Sequence, residues 1–103
     1  MFEQLFSPGI SVSLEPPTIK NYKYYTSLLG FKDDEYILLD FPSIVSRSCP
    51  LDDHEPCIIR FVSEGKAYTS RTFILKVMRY PFSLLFIKYP RFIEQTPSED
   101  FHL

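Results

Sequence analysis

The pattern of apolar and polar positions along the chain is that of short strands. Ile10 to Leu14 alternates strictly, which puts Ile10, Val12 and Leu14 on one face of a half-buried strand. Glu15-Pro16-Pro17 ends it, because proline has no N–H to give to a ladder. Tyr22 to Phe31 predicts a second strand, and Gly30 near its end marks a bulge or a bend. Lys32 to Asp34 is a polar turn, and Glu35 to Phe41 a third strand stopped by Pro42, so the two strands form a hairpin. Cys57 to Ser63 and Ala67 to Met78 flank Glu64-Gly65, a hairpin turn in which Gly65 is free to take positive φ. On the longer of these strands Arg71, Phe73, Leu75 and Val77 share one face, and Tyr68, Ser70, Thr72 and Ile74 the other. After a break at Tyr80-Pro81, Phe82 to Tyr89 predicts the last strand, ended by Pro90.

Three stretches lie outside this pattern. Met1 to Pro8 reads as a single helical turn or an arm. Ser43 to Pro56 is long for a connection and is expected to hold a short helical turn or a functional loop. Arg91 to Leu103 is polar after Ile93 and reads as a linker. Six strands at such spacings, with strand edges that must be hidden, predict an all-β fold: a six-stranded antiparallel Greek-key barrel.

Composition narrows the picture. A chain of 103 residues is the size of one domain, and 17% aromatic residues, all Phe and Tyr, favour strands. A net charge of −2 counts against binding nucleic acid through bulk electrostatics. Cys49 and Cys57 are too few for a disulfide-built secreted domain and read as reduced thiols, with Cys57 packed in a strand. Cys49, Asp52, His54 and Cys57 fit the spacing of no common zinc module, so no metal is expected. Met1 to Gly9 lacks a basic region followed by an apolar run, so no signal peptide is expected. The longest apolar runs are too short to span a bilayer, and the cytoplasm is the expected compartment.

Motifs that carry a reaction are absent. The chain has no G-x-S-x-G, H-E-x-x-H, G-x-x-x-x-G-K or G-x-G-x-x-G, and no catalytic residue is assigned. Asp33-Asp34 and Asp52-Asp53 sit in predicted turns, where Asp bonds its own backbone. Phe61, Tyr68 and Phe73 form a possible stacking face for single-stranded nucleic acid, against the alternative that they are core and rim residues. Tyr80-Pro81 and Tyr89-Pro90 read as strand ends, with an aromatic patch for a partner as the second reading.

The order of these features resembles a known family. A Tyr-rich strand precedes a hairpin ending in Ile37-Leu-Leu-Asp-Phe-Pro42. A loop follows, then Cys57-Ile-Ile-Arg-Phe61, Gly65 and Tyr68, and finally Leu85-Phe-Ile-Lys-Tyr-Pro90 with Ile93-Glu94. From Gly9 to Glu94 this is similar to the N-terminal (PilZN) domain of YcgR-like flagellar brake proteins. The resemblance implies a split β-barrel related in topology to flavin-reductase-type barrels, which makes a flavin-type ligand barrel the alternative function. It implies a domain over residues 1–94 and a linker over 95–103 toward an adjacent PilZ domain, which in the family binds c-di-GMP. The R-x-x-x-R and D/N-x-S-x-x-G signature of that domain is not present, so this chain is expected to be the front part of a larger protein and to need its neighbour for the nucleotide. The implied partners are the PilZ domain, flagellar motor proteins and a second copy of the chain. The interface residues expected from nearness to the presumed junction are Lys88, Tyr89, Arg91 and Phe92.

Overall fold

A computed structural model of the chain describes residues 5–16, 23–40 and 51–96. It contains seven strands: β1 Ser11–Glu15, β2 Tyr24–Lys32, β3 Tyr36–Asp40, β4 Pro56–Ser63, β5 Lys66–Met78, β6 Leu84–Lys88 and β7 Glu94–Thr96. No α-helix occurs among the described residues. Six strands close into an antiparallel barrel in the order β4-β1-β2-β3-β6-β5, sealed by β4 against β5. β4, β5 and β6 follow one another as hairpins, and β6 returns beside β3, which is the Greek-key arrangement expected. The seventh strand lies outside that expectation. β7 pairs with β5 through Ala67 to Thr69.

Two long strands bend the sheet into a barrel. The first half of β2 pairs with β1 and the second with β3, with a register shift between Leu28 and Gly30. On β5 a shift between Ile74 and Lys76 separates the part paired with β4 from the part paired with β6. Each extra residue kinks its strand and lets it serve both halves of the barrel. The β5 bulge also changes which face looks inward. Ser70 and Ile74 are buried ahead of it and Val77 packs on the core after it, while Phe73 is exposed. The single face expected for Arg71, Phe73, Leu75 and Val77 is therefore broken, because a bulge resets the two-residue period.

The β5 bulge is held from outside its own ladder. Asp53 Oδ1 accepts the Val77 N–H at 2.7 Å, and Asp53 Oδ2 lies 3.3 Å from Lys76 Nζ. Beside it, the His54 N–H donates to the Ile74 carbonyl at 2.7 Å, and the Ile74 N–H to the Glu55 carbonyl at 2.8 Å. Asp53 and His54 thus belong to a segment clamped along β5. Most of the loop expected over Ser43 to Pro56, including Cys49, lies outside the described residues.

Turn chemistry agrees with the sequence. Ser63 pairs with Lys66, leaving Glu64 and Gly65 as a two-residue loop at φ 52° and 77°. Two consecutive positive φ values are those of a type I′ turn, whose twist matches the flanking strands. The β2–β3 turn is closed by the Glu35 N–H to the Lys32 carbonyl at 2.9 Å, with Asp34 at φ 64°.

The core is the barrel interior: Val12 and Leu14, Leu28, Ile37 and Leu39, Cys57, Ile59 and Phe61, Ile74, Leu85 and Ile87. The N-terminal segment joins it. Gly9 N–H bonds Leu28 O at 2.8 Å and Leu28 N–H bonds Ile10 O at 2.9 Å, which fixes the chain so that Phe6 enters the interior. Its ring centroid lies 5.4 Å from Phe61, 5.6 Å from Phe31 and 5.6 Å from Tyr89. These are favourable aromatic separations, and Phe6 acts as a plug of the barrel.

Candidate interaction surface

The residues singled out from sequence lie on β6 and the chain leading to β7, and the structure separates them. Tyr89 is buried, with its ring against Phe6 and 6.2 Å from Phe31. It is therefore a core residue and not part of a surface: it continues the inward alternation of Leu85 and Ile87. Lys88 is half-buried on the outside of β6, Arg91 is exposed, and Phe92 is 81% exposed.

Phe92 is presented by a fixed backbone. Ser70 is buried on β5, and its Oγ donates to the Phe92 carbonyl at 2.6 Å. One turn of the alternation further, Thr72 Oγ1 donates to the Lys88 carbonyl at 2.7 Å. Two hydroxyls of β5 thus pin the segment from Lys88 to Phe92 on one side, while Lys88 pairs with Tyr36 and the Tyr89 N–H donates to the Glu35 carbonyl at 3.3 Å on the other. A shallow depression of about 200 Å³ opens beside Phe92, lined by Thr69, Ser70, Arg71, Phe92 and Glu94. Arg71 and Glu94 were not expected there. Nothing local marks them, since their nearness to Phe92 depends on β7 lying against β5.

The two Tyr-Pro corners differ. Tyr89 and Pro90 are buried, while Tyr80 is 88% and Phe82 70% exposed around a cis Tyr80–Pro81 bond. The stacking face of Phe61, Tyr68 and Phe73 is not assembled. Phe61 and Tyr68 stack on each other at 5.5 Å on the interior side, and Phe73 faces outward from the opposite side of β5.

Charged groups with perturbed acidity lie elsewhere. Burial pushes the Glu15 carboxyl up, but its hydrogen bond and charge contact with Arg60, with Lys23 at 3.3 Å, outweigh this and hold it below the ordinary carboxylate range. Burial alone raises the Cys57 thiol to about 12. Among the described residues no group of three His, Cys, Asp or Glu side chains is placed to hold a metal. Cys57 points into the core and His54 to solvent.

With this geometry in hand, the comparison with known families becomes specific. A family model described as Flagellar protein YcgR (PilZNR) matches residues 7–90. The chain belongs to that family. The match covers the barrel from the segment that carries the plug's anchor to the end of β6, and it agrees with the flagellar, PilZ-related reading of the residues. A search of curated proteins found no match. No helix of the described residues is long and apolar enough to cross a membrane.

Proposed function

We propose that the chain is a non-catalytic regulatory domain of a c-di-GMP-responsive protein that controls flagellar motility. It acts in the cytoplasm through contacts with an adjacent PilZ domain and with flagellar motor proteins. The match to the flagellar YcgR family over residues 7–90 carries this reading. The contacts are assigned to Arg91 and Phe92, with Lys88 at their margin. An aromatic side chain that is exposed but pinned through its backbone loses little entropy on binding, and aromatic and Arg residues supply most interface hot spots.

Two measurements test it. Cells whose chromosomal copy carries Phe92→Ala with Arg91→Ala should lose control of swimming in soft agar while the protein keeps its far-ultraviolet spectrum. Unchanged swimming control would overturn the assignment of the contacts. Calorimetry of this chain with c-di-GMP should give no heat of tight binding, and a tight complex would overturn the division of labour with a PilZ domain.

A further inference from the structure

The outer face of β5, ahead of its bulge, gathers apolar side chains around one charge. Thr69, Arg71 and Phe73 alternate outward there, and Phe73 is 39% exposed. On β4, Ile58 lies directly opposite Arg71 and is half-buried. On the other side of β5, Phe92 and Glu94 line the depression that they share with Thr69 and Arg71. Phe92 is held there by the Ser70 hydroxyl on its carbonyl. Arg71 therefore stands among two exposed phenylalanines and an isoleucine. Arg and aromatic side chains set together in this way are the groups that the centres of protein interfaces favour.

Charge selects the occupant. Among the described residues, Glu15 is paired with Arg60 and Lys23, Glu35 with Lys32 and Asp53 with Lys76, whereas Arg71 has no ion pair. Glu94 sits opposite Thr69, a diagonal neighbour of Arg71 that forms no ion pair with it. A guanidinium offers a fork of N–H donors that matches a carboxylate. Nucleic acid fits this charge pattern badly. Its phosphates recur at every nucleotide, so Glu94 and the net charge of −2 repel those beyond the first. A peptide can set one carboxylate over Arg71 and a neutral or basic residue over Glu94.

We propose that this face takes an acidic peptide segment of a protein partner, with an Asp or Glu carboxylate on the Arg71 guanidinium and an adjoining apolar side chain against Phe92. The inference rests on the assignment of contacts to Arg91 and Phe92, and adds to it the partner's chemistry and the residue that anchors it.

Selection of peptides from a random library on the full 103-residue chain tests it, with affinities then measured by fluorescence titration. The retained peptides should carry Asp or Glu next to Leu or an aromatic residue. Arg71→Gln should weaken them about tenfold, and Glu94→Gln should strengthen them a few-fold by removing a carboxylate that repels theirs. Both positions are exposed, and circular dichroism checks that the variants keep the fold. Failure to retain any peptide, retained peptides without acidic residues, or acidic ones indifferent to Arg71→Gln would overturn the proposal. Equal affinity for an oligothymidylate of the same charge would overturn it too. In cells, Arg71→Glu should remove swimming control as Phe92→Ala with Arg91→Ala does. Control kept in Arg71→Glu but lost in the double variant would overturn the acidic partner and leave the contacts standing. Normal control in the double variant would overturn the contact assignment and this inference with it.

Discussion

Glu15 shows how one side chain ties β1 to β4. It accepts from Arg60 on the neighbouring strand and lies near Lys23, and its pKa is held below the ordinary value. A carboxyl with a depressed folded pKa stabilises the fold above the unfolded pKa, near 4.3 for Glu, and loses that contribution as pH falls through the folded value. Glu15→Gln should therefore cost about 1 kcal/mol at neutral pH, given its partial exposure, and almost nothing below the folded pKa. Urea unfolding of both forms at neutral and strongly acid pH checks this. Cys57 behaves oppositely. Its thiol is neutral far above its ordinary range, so its contribution is complete below the unfolded pKa and is lost as pH rises toward about 12. Native protein at mildly alkaline pH should leave Cys57 unmodified by iodoacetamide, and denatured protein should be modified fully, as read by peptide mass spectrometry. At Asp53 the Val77 N–H is the main cause of the lowered pKa, with Lys76 assisting against burial. Asp53→Ala should lower the melting temperature more than Asp53→Asn, which keeps an acceptor for that N–H.

At the scale of elements, the turns and bulges decide how the strands pair. The β4–β5 hairpin depends on two positive φ values, and a Cβ at Gly65 would meet no atom within 4 Å. The cost of Gly65→Ala is then purely one of backbone conformation, about 1–2 kcal/mol. Glu64 holds a left-handed conformation with a side chain that gains nothing from it, whereas Asn is the residue such turns favour at that place. Glu64→Asn should raise stability by up to about 1 kcal/mol, measured by chemical denaturation. The bulges were legible unequally. Gly30 announced the shift on β2, but β5 carries its shift at Leu75, where no Gly or Pro interrupts the run. What places it is Asp53, more than twenty residues away, bonding the Val77 N–H that the shift turns outward. A bulge fixed by a distant side chain leaves no local signature.

For the whole molecule, the feature with most leverage is the plug. Phe6 is buried among Phe31, Phe61 and Tyr89, which come from three different strands or their ends. Phe6→Ala removes a buried ring and leaves a void that the rigid barrel cannot close. It should cost about 3–5 kcal/mol, a large part of the stability of a domain this size. Thermal unfolding of that variant beside Phe82→Ala, which removes an exposed ring, would show whether the loss belongs to the plug.

The chain by itself determined the strands of the barrel, their approximate ends and two of their turns. It did so because alternation, strand-ending prolines and Glu64-Gly65 act over a few neighbouring residues. It also determined the family, through the order of those features. The tertiary structure decided what depends on contact across the barrel. It turned Tyr89 into the core while leaving Phe92 outside, since the register against β5 sets which residues after β6 still alternate inward. It made a strand of Glu94 to Thr96, three polar residues with no apolar pattern, because β5 offers Ala67 to Thr69 an edge that β6 has left. It sent an N-terminal phenylalanine into the barrel, where closure brings Phe31, Phe61 and Tyr89 together around it. Local sequence encodes conformation over a few residues; which side chains meet is encoded in the closure of the sheet, and that is a sum over the whole chain.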